Sequence, residues 1–246
     1  MTIFEKANYL IEIIENAGFE AYQVGGCVRD FFMERKCDDI DITTCAKPCD
    51  LEKILDENNI KYIETGLKHG TVTAVFDGDN FEITTYRTDG EYIDNRHPEN
   101  VSFVSNIDED LSRRDFTINA IAYNPNKNEI VDLFGGQKDI ENKIIRATTS
   151  AFKEDPLRVY RVARFAAELG FEVEKETIKQ MNELKSELSS LSKERVFTEM
   201  KKALNTEKPS IFFEVLKQAD VLDIHFKEIK DLIGAEQPPK YHPEGD

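Results

Sequence analysis

The stretch VGGCVRD (24–30) sets an arginine just after a glycine pair, and DDIDIT (38–43) follows it with two aspartates one residue apart. Glycine lets a backbone approach a ligand closely, and an arginine beside it suits a phosphate. On a strand, Asp39 and Asp41 would point both carboxylates to one face. Paired carboxylates suit Mg2+, which takes one or two of them together with substrate phosphates. The residues alone predict a nucleoside triphosphate and a divalent metal. Two exposed acids at a strand edge would give the same three letters, so the upstream Gly25–Gly26 turn carries much of this reading.

Two further constellations bear on it. In RRDFTINA (113–120), Arg113 and Arg114 could bind triphosphate oxygens, and Asp115 could accept from a ribose hydroxyl. Ordinary surface charge at a helix start reads equally well there. In EDPLRVYRVARF (154–165), Arg158, Arg161 and Arg164 fall within about a 120° arc of a helix. Asp155 stands one turn before Arg158. Cytosine and adenine each offer an amine donor beside a ring-nitrogen acceptor, whereas uracil and guanine offer the reverse. An aspartate only accepts and an arginine only donates, so a fixed Asp155–Arg158 pair would accept C and A without a nucleic-acid template.

These residues need a scaffold. The apolar period predicts a helix over 4–16, a strand in EAYQVGG, a helix from Cys27 that puts the glycine turn at its N-terminus, and a strand in DIDIT. A helix over 50–58 follows, then a hairpin of GTVTAVFDG with NFEITTYRT, a polar loop over 89–100 and strands in VSFV, FTINAIAY and EIVDLFGG. Glu82 alternates with Phe81 and Ile83 and reads as a solvent-facing strand residue, outside the metal set. Beyond Asp155 the pattern is helical, with a helix ending at Gly170 and others over 174–188, 192–205 and 208–219. The division predicted is a catalytic head over 1–147, a helical neck and partial body over 148–236, and a linker over 237–246.

A net charge of −16 argues against broad nonspecific binding to nucleic acid, while the arginine clusters suit a defined polyanion. No apolar run is long enough to span a membrane, and MTIFEKANYL lacks a signal core, so a cytoplasmic protein is expected. Cys27, Cys37, Cys45 and Cys49 match no common zinc spacing and read as reduced, mostly buried thiols. Nothing in the chain sets an oligomeric state.

GGCVRDFFMERKCDDIDITT, RRDFTINAIAY, VDLFGGQKDI, EDPLRVYRVARFAAELGF and SKERVFTEMKKAL resemble, in that order, the motifs of the bacterial class II tRNA nucleotidyltransferases (CCA-adding enzymes), a family shared with poly(A) polymerases. The resemblance implies an α/β head of polymerase-β-like nucleotidyltransferase type, a mixed sheet with helices, followed by an all-helical neck and body. It implies addition of C, C and A to the tRNA 3′ end from CTP and ATP with Mg2+. Asp39 and Asp41 would be catalytic metal ligands, and Gly25, Gly26, Arg29 and Arg114 would meet the triphosphate. Asp115 would sit at the ribose, Asp155 and Arg158 would read the base, and Arg161 and Arg164 would support the nucleotide. RTDGEYIDNRHPENV (87–101) resembles the loop that full CCA- and A-adding enzymes keep and CC-only enzymes lack. PPKYHPEGD (238–246) resembles a lead-in to a phosphohydrolase domain, and the family's body and tail helices look cut short. An A-adding enzyme, a poly(A) polymerase, a silent nucleotide- or RNA-binding module and a small-molecule nucleotidyltransferase are the rival readings; the last would need neither Asp155–Arg158 nor a helical neck.

Overall fold

The computed structural model describes residues 1–90, 101–235 and 240, so most of the expected polar loop and nearly all of the expected C-terminal linker lie outside the described residues. The chain divides into two compact units, Met1–Asn142 with Arg146–Glu154, and Lys143–Ile145 with the chain from Asp155. Residues 148–154 thus belong with the first unit. Thr148 N–H donates to the Asp115 carbonyl (3.2 Å) and Thr149 Oγ1 to that of Ser112 (2.8 Å), tying this segment down there.

In the first unit, α1 (Ile3–Asn16) opens on a reciprocal cap between Thr2 and Glu5, which satisfies two otherwise unpaired N–H groups. The strands are β1 (Ala21–Val24), β2 (Asp41–Thr44), β3 (Lys61–Gly66), β4 (Thr71–Phe76), β5 (Asp79–Thr85), β6 (Arg87–Asp89), β7 (Val101–Phe103), β8 (Ala122–Asn124) and β9 (Glu129–Val131). The helices between them are α2 (Gly26–Phe32), α3 (Pro48–Glu57), α4 (Ile107–Ser112) and α5 (Gly136–Asn142). Seven strands form one sheet in the order β3-β4-β5-β2-β1-β8-β9, while β6 and β7 pair separately. All its pairings are antiparallel except β2 with β5, so the sheet is mixed.

The centre of the sheet carries the core. Every residue of β1 is buried, as are Ile42, Thr43 and Thr44 of β2, which marks strands covered on both faces. Ile42, Phe81 and Ile83 are almost wholly withdrawn from water, each contributing on the order of 2 kcal/mol. The β4–β5 hairpin turns on Asp77 and Gly78, both at positive φ (47° and 86°), the backbone of a tight two-residue turn. Two expectations need correction. The strand expected through FTINAIAY covers only β8, because 117–119 form a 3-10 turn whose Thr117 N–H goes instead to the Arg146 carbonyl. The strand expected through DIDIT begins at Asp41, since β1 ends at Val24 opposite it and Gly25 then turns away, leaving Asp39 before the ladder.

In the second unit, β10 (Ile144–Ile145) pairs in parallel with β11 (Glu172–Val173) beside α6 (Arg158–Leu169), α7 (Lys175–Glu183), α8 (Lys185–Leu188), α9 (Lys193–Leu204), α10 (Ser210–Gln218) and α11 (Lys227–Asp231). Helix α6 ends at Gly170 in the left-handed conformation (φ 67°), as its sequence predicts. Its apolar face, Val159, Tyr160, Val162, Ala163 and Ala166, is wholly buried, and α6 packs on α9 and α10. The helix expected over 174–188 is divided into α7 and α8 at Leu184, a buried residue of that core.

Candidate functional site

Gly25 caps α2 with φ 78° and ψ −135°, a conformation that an L side chain adopts only under strain. A Cβ there would stand 3.5 Å from Arg114 Nη1 and 3.8 Å from Asp41 Oδ2, so the turn, the arginine and the carboxylate meet at one point. Gly26 faces Arg29, whose Nη2 would lie 3.6 Å from a Cβ at that position. Arg29 is 5% exposed; it pairs with Asp30 (2.9 Å) and donates through Nη1 to Asn119 Oδ1 (2.9 Å). Asn119 in turn donates to Asp115 Oδ1 (3.1 Å), which also accepts from the Phe116 N–H (2.9 Å). The fold therefore brings Gly25, Gly26, Arg29, Asp41, Arg114 and Asp115 into one constellation from three separate elements. Asp115 is buried and turned toward Asn119.

The electrostatics of Asp41 are unusual for a carboxylate. Burial, with the nearby charges of Asp39 and Glu82, pushes its pKa up to about 6, and only Arg114 pulls the other way. Asp39 is exposed. Glu82 is exposed on β5, and the parallel register that sets Ile42 beside Ile83 carries it alongside Asp41. The exposure fits the sequence reading of Glu82, but its charge belongs to the site. The charges of Asp39 and Glu82 acting on a half-buried Asp41 make a place short of positive charge, which is the condition a divalent cation relieves. Among the described residues, however, no three such side chains close into a metal cage. Nearby, Cys37 Sγ donates to the Asp39 carbonyl (2.9 Å) and Cys27 Sγ to that of Val24 (3.3 Å), so these two buried thiols pin the backbone flanking the acids. Cys45 is half-buried and Cys49 exposed, fewer buried thiols than the sequence led us to expect.

Sequence reasoning missed Asp110, which organises the arginines. It is fully buried on α4 and accepts from Arg113 Nε and Nη2 (3.0 and 2.7 Å) and from Arg114 Nη2 (3.0 Å). Burial alone would raise its pKa, but Arg114 and Arg113 outweigh burial and hold it below the usual value. The signal was present as aspartate–x–x–Arg–Arg, the three- and four-residue spacing of one helix face. Arg113 closes on Asp110, whereas Arg114 also reaches toward Asp41. Arg114 Nε is buried and, among the described residues, has no hydrogen-bond partner. The donor that Arg114 turns toward the glycine turn is Nη1.

In the second unit, Asp155 and Arg158 share one turn, with the Arg158 N–H donating to the Asp155 carbonyl (2.9 Å). Arg158 is mostly buried and Arg161 half-buried. Arg164 lies between Glu199 (3.1 Å) and Glu168 (2.6 Å) with its guanidinium over the Phe165 ring (3.5 Å). That set braces α6 against α9 through Arg164 Nε and Nη1.

Comparison with known proteins follows the same division. Residues 21–146 match the family described as "Poly A polymerase head domain", and residues 170–233 match "Probable RNA and SrmB-binding site of polymerase A". The chain belongs to the poly A polymerase head-domain family. It is 44% identical over 218 residues to the CCA-adding enzyme of Staphylococcus epidermidis, covering 87% of this chain and 53% of that one. Its likeness to the CCA-adding enzyme of Lactobacillus delbrueckii subsp. bulgaricus is 44% over 218 residues, with 87% and 54% covered. Among solved structures it resembles the Bacillus stearothermophilus CCA-adding enzyme in complex with CTP (TM-score 0.80, 37% identity, 90% of this chain and 53% of that one). It also resembles the Thermotoga maritima CCA-adding enzyme complexed with tRNA-CCA (TM-score 0.76, 28% identity, 92% and 53%). The chain spans about half the length of these relatives. The polymerase-β-like head implied by the motifs is thus the fold observed.

Proposed function

We propose that this chain carries the nucleotide-adding chemistry of a template-independent tRNA nucleotidyltransferase, joining C, C and A to the tRNA 3′ end from CTP and ATP with loss of pyrophosphate. The observation that carries this reading is the meeting of Arg114 Nη1 and Asp41 Oδ2 at the Gly25 turn, a phosphate donor set against a carboxylate. Relatives of this chain are CCA-adding enzymes, and two similar structures hold CTP and tRNA-CCA.

In this reading Gly25 and Gly26 let the triphosphate approach the backbone, while Arg29 and Arg114 donate to its oxygens. Asp115 accepts from the ribose. Asp39 and Asp41 hold Mg2+, a fit supported by the excess negative charge around Asp41. When bound, the metal supplies charge neutralisation at phosphorus and a more acidic attacking 3′-hydroxyl. Asp155 accepts from the exocyclic amine of C or A, and Arg158 donates to the adjacent ring nitrogen. Arg161 and Arg164 support the nucleotide, Arg164 while braced by Glu199 and Glu168. A cytoplasmic setting belongs to the same reading, since four free cysteines suit a reducing compartment. Among the described residues no helix is long and apolar enough to cross a membrane.

The test is a gel assay with Mg2+, each NTP singly and then CTP with ATP, on tRNAs ending before CCA, after C and after CC. Stepwise addition of C, C and A is the expected result. Addition of A to the CC end alone would replace this reading with an A-adding one, and long A tails on any RNA would replace it with a poly(A) polymerase.

A further inference from the structure

The reader carboxylate is not held by its own helix. Asp155 precedes the first residue of α6, and from the local backbone it takes one hydrogen bond, from the Leu157 N–H to Oδ1 (3.0 Å). One bond fixes an oxygen but leaves the carboxylate plane free to turn about it. That plane matters, because a donor is best received near the plane of an sp² oxygen. The second constraint comes from 40 residues away: Arg195 Nη2 on α9 lies 3.4 Å from Oδ1 and 3.3 Å from Oδ2. Both side chains are largely withdrawn from solvent, Arg195 20% and Asp155 16% exposed.

Arg195 does not act from a loose surface position. Four residues on, Glu199 shares its face of α9 and is clamped to Arg164 of α6 (3.1 Å). The same helix face therefore grips α6 at Arg164 and the residue ahead of it at Asp155. The Arg195 contacts are long for N–H···O bonds, so they orient the carboxylate without exhausting it. Among the described residues Oδ2 accepts from Arg195 alone, and a carboxylate oxygen can accept twice.

We infer that Arg195 is a positioning residue for base selection: it sets the plane of the Asp155 carboxylate so that Oδ2 accepts the exocyclic amine of cytosine or adenine. This rests on the assignment of Asp155 and Arg158 as the base reader. A misaligned acceptor penalises C and A, and leaves U and G, which offer no amine there, almost untouched.

Equilibrium titration of the full chain with CTP, ATP, UTP and GTP in the presence of Mg2+ tests the inference. For wild type, CTP and ATP bind more tightly than UTP and GTP. In Arg195→Ala the ratio of CTP to UTP affinity falls about tenfold, the size of one misplaced bond to a charged group, while UTP affinity barely moves. Arg195→Lys keeps the charge on a shorter, more flexible and more strongly hydrated head and gives an intermediate ratio; it also serves as the readout if the alanine variant does not fold. An unchanged ratio in a folded variant overturns the positioning role while leaving the reader intact. An equal loss for all four nucleotides overturns it too, because a merely structural arginine would behave that way. Wild type without any preference would remove the reader assignment itself, and the inference with it.

Discussion

Asp41 and Asp110 are two largely buried carboxylates of one unit that share one arginine, and their surroundings push them in opposite directions. Asp110 receives Arg113 and Arg114 and is held ionised below the usual carboxylate range. Asp41 faces Asp39 and Glu82 with only Arg114 in its favour, and its pKa rises to about 6. The first arrangement is complete in itself. The second is a charge imbalance that the folded protein tolerates, and such imbalances concentrate at functional sites. Arg114 links the two: its Nη2 is spent on Asp110, while its Nη1 leans toward Gly25 and Asp41. Asp110 is thus the anchor that lets Arg114 present a donor.

The contrast is broken most severely at Asp110. Asp110→Ala leaves two partly buried guanidinium groups without their counter-ion and should cost about 3 kcal/mol or more, read as a lower urea midpoint at unchanged slope. Gly25→Ala forces a side chain into φ 78° and should cost about 1–3 kcal/mol by the same measurement. Asp41→Asn should do the reverse in chelator, stabilising the metal-free fold by about 1–2 kcal/mol even as it abolishes nucleotide transfer. A loss of stability in that variant would contradict the charge imbalance.

The pH dependence sharpens the same comparison. The folded pKa of Asp41 is raised from 3.8 to about 6, so folding takes up a proton between those values. Metal-free stability then falls as pH rises through that window, and the fall should be absent in Asp41→Asn. Asp110 has the opposite sign. Its folded pKa is lowered, so its contribution is present above the ordinary carboxylate pKa and is lost as pH falls through the folded value. Difference melting curves of wild type against each variant, taken from pH 3 to about 7 in chelator, separate the two.

What the sequence disclosed and what it hid follow one physical rule. Helix α6 was legible because nine of its twelve residues are buried in a 3.6-residue rhythm and Gly170 closes it. The glycine turn, Asp41 and Arg114 were legible because each lies in a dense local motif. Asp39 was misplaced on the strand, because where β2 begins is decided by where β1 ends at Val24. Strand β3 went unread, since its place is set by its pairing with β4, a partner that local periodicity does not show. Asp110 showed its spacing but not its burial. The Arg164–Glu199 and Arg195–Asp155 pairs span 35 and 40 residues, and no window of sequence contains either.

The central claim is that the imbalance around Asp41 is a cation site serving a triphosphate. Calorimetric titration of Mg2+ into the chain with CTP present, each corrected by the same titration into CTP alone, for wild type and Asp41→Asn side by side, tests it most directly. The account predicts saturable binding in wild type that the variant loses while remaining folded; equal binding in both would contradict it.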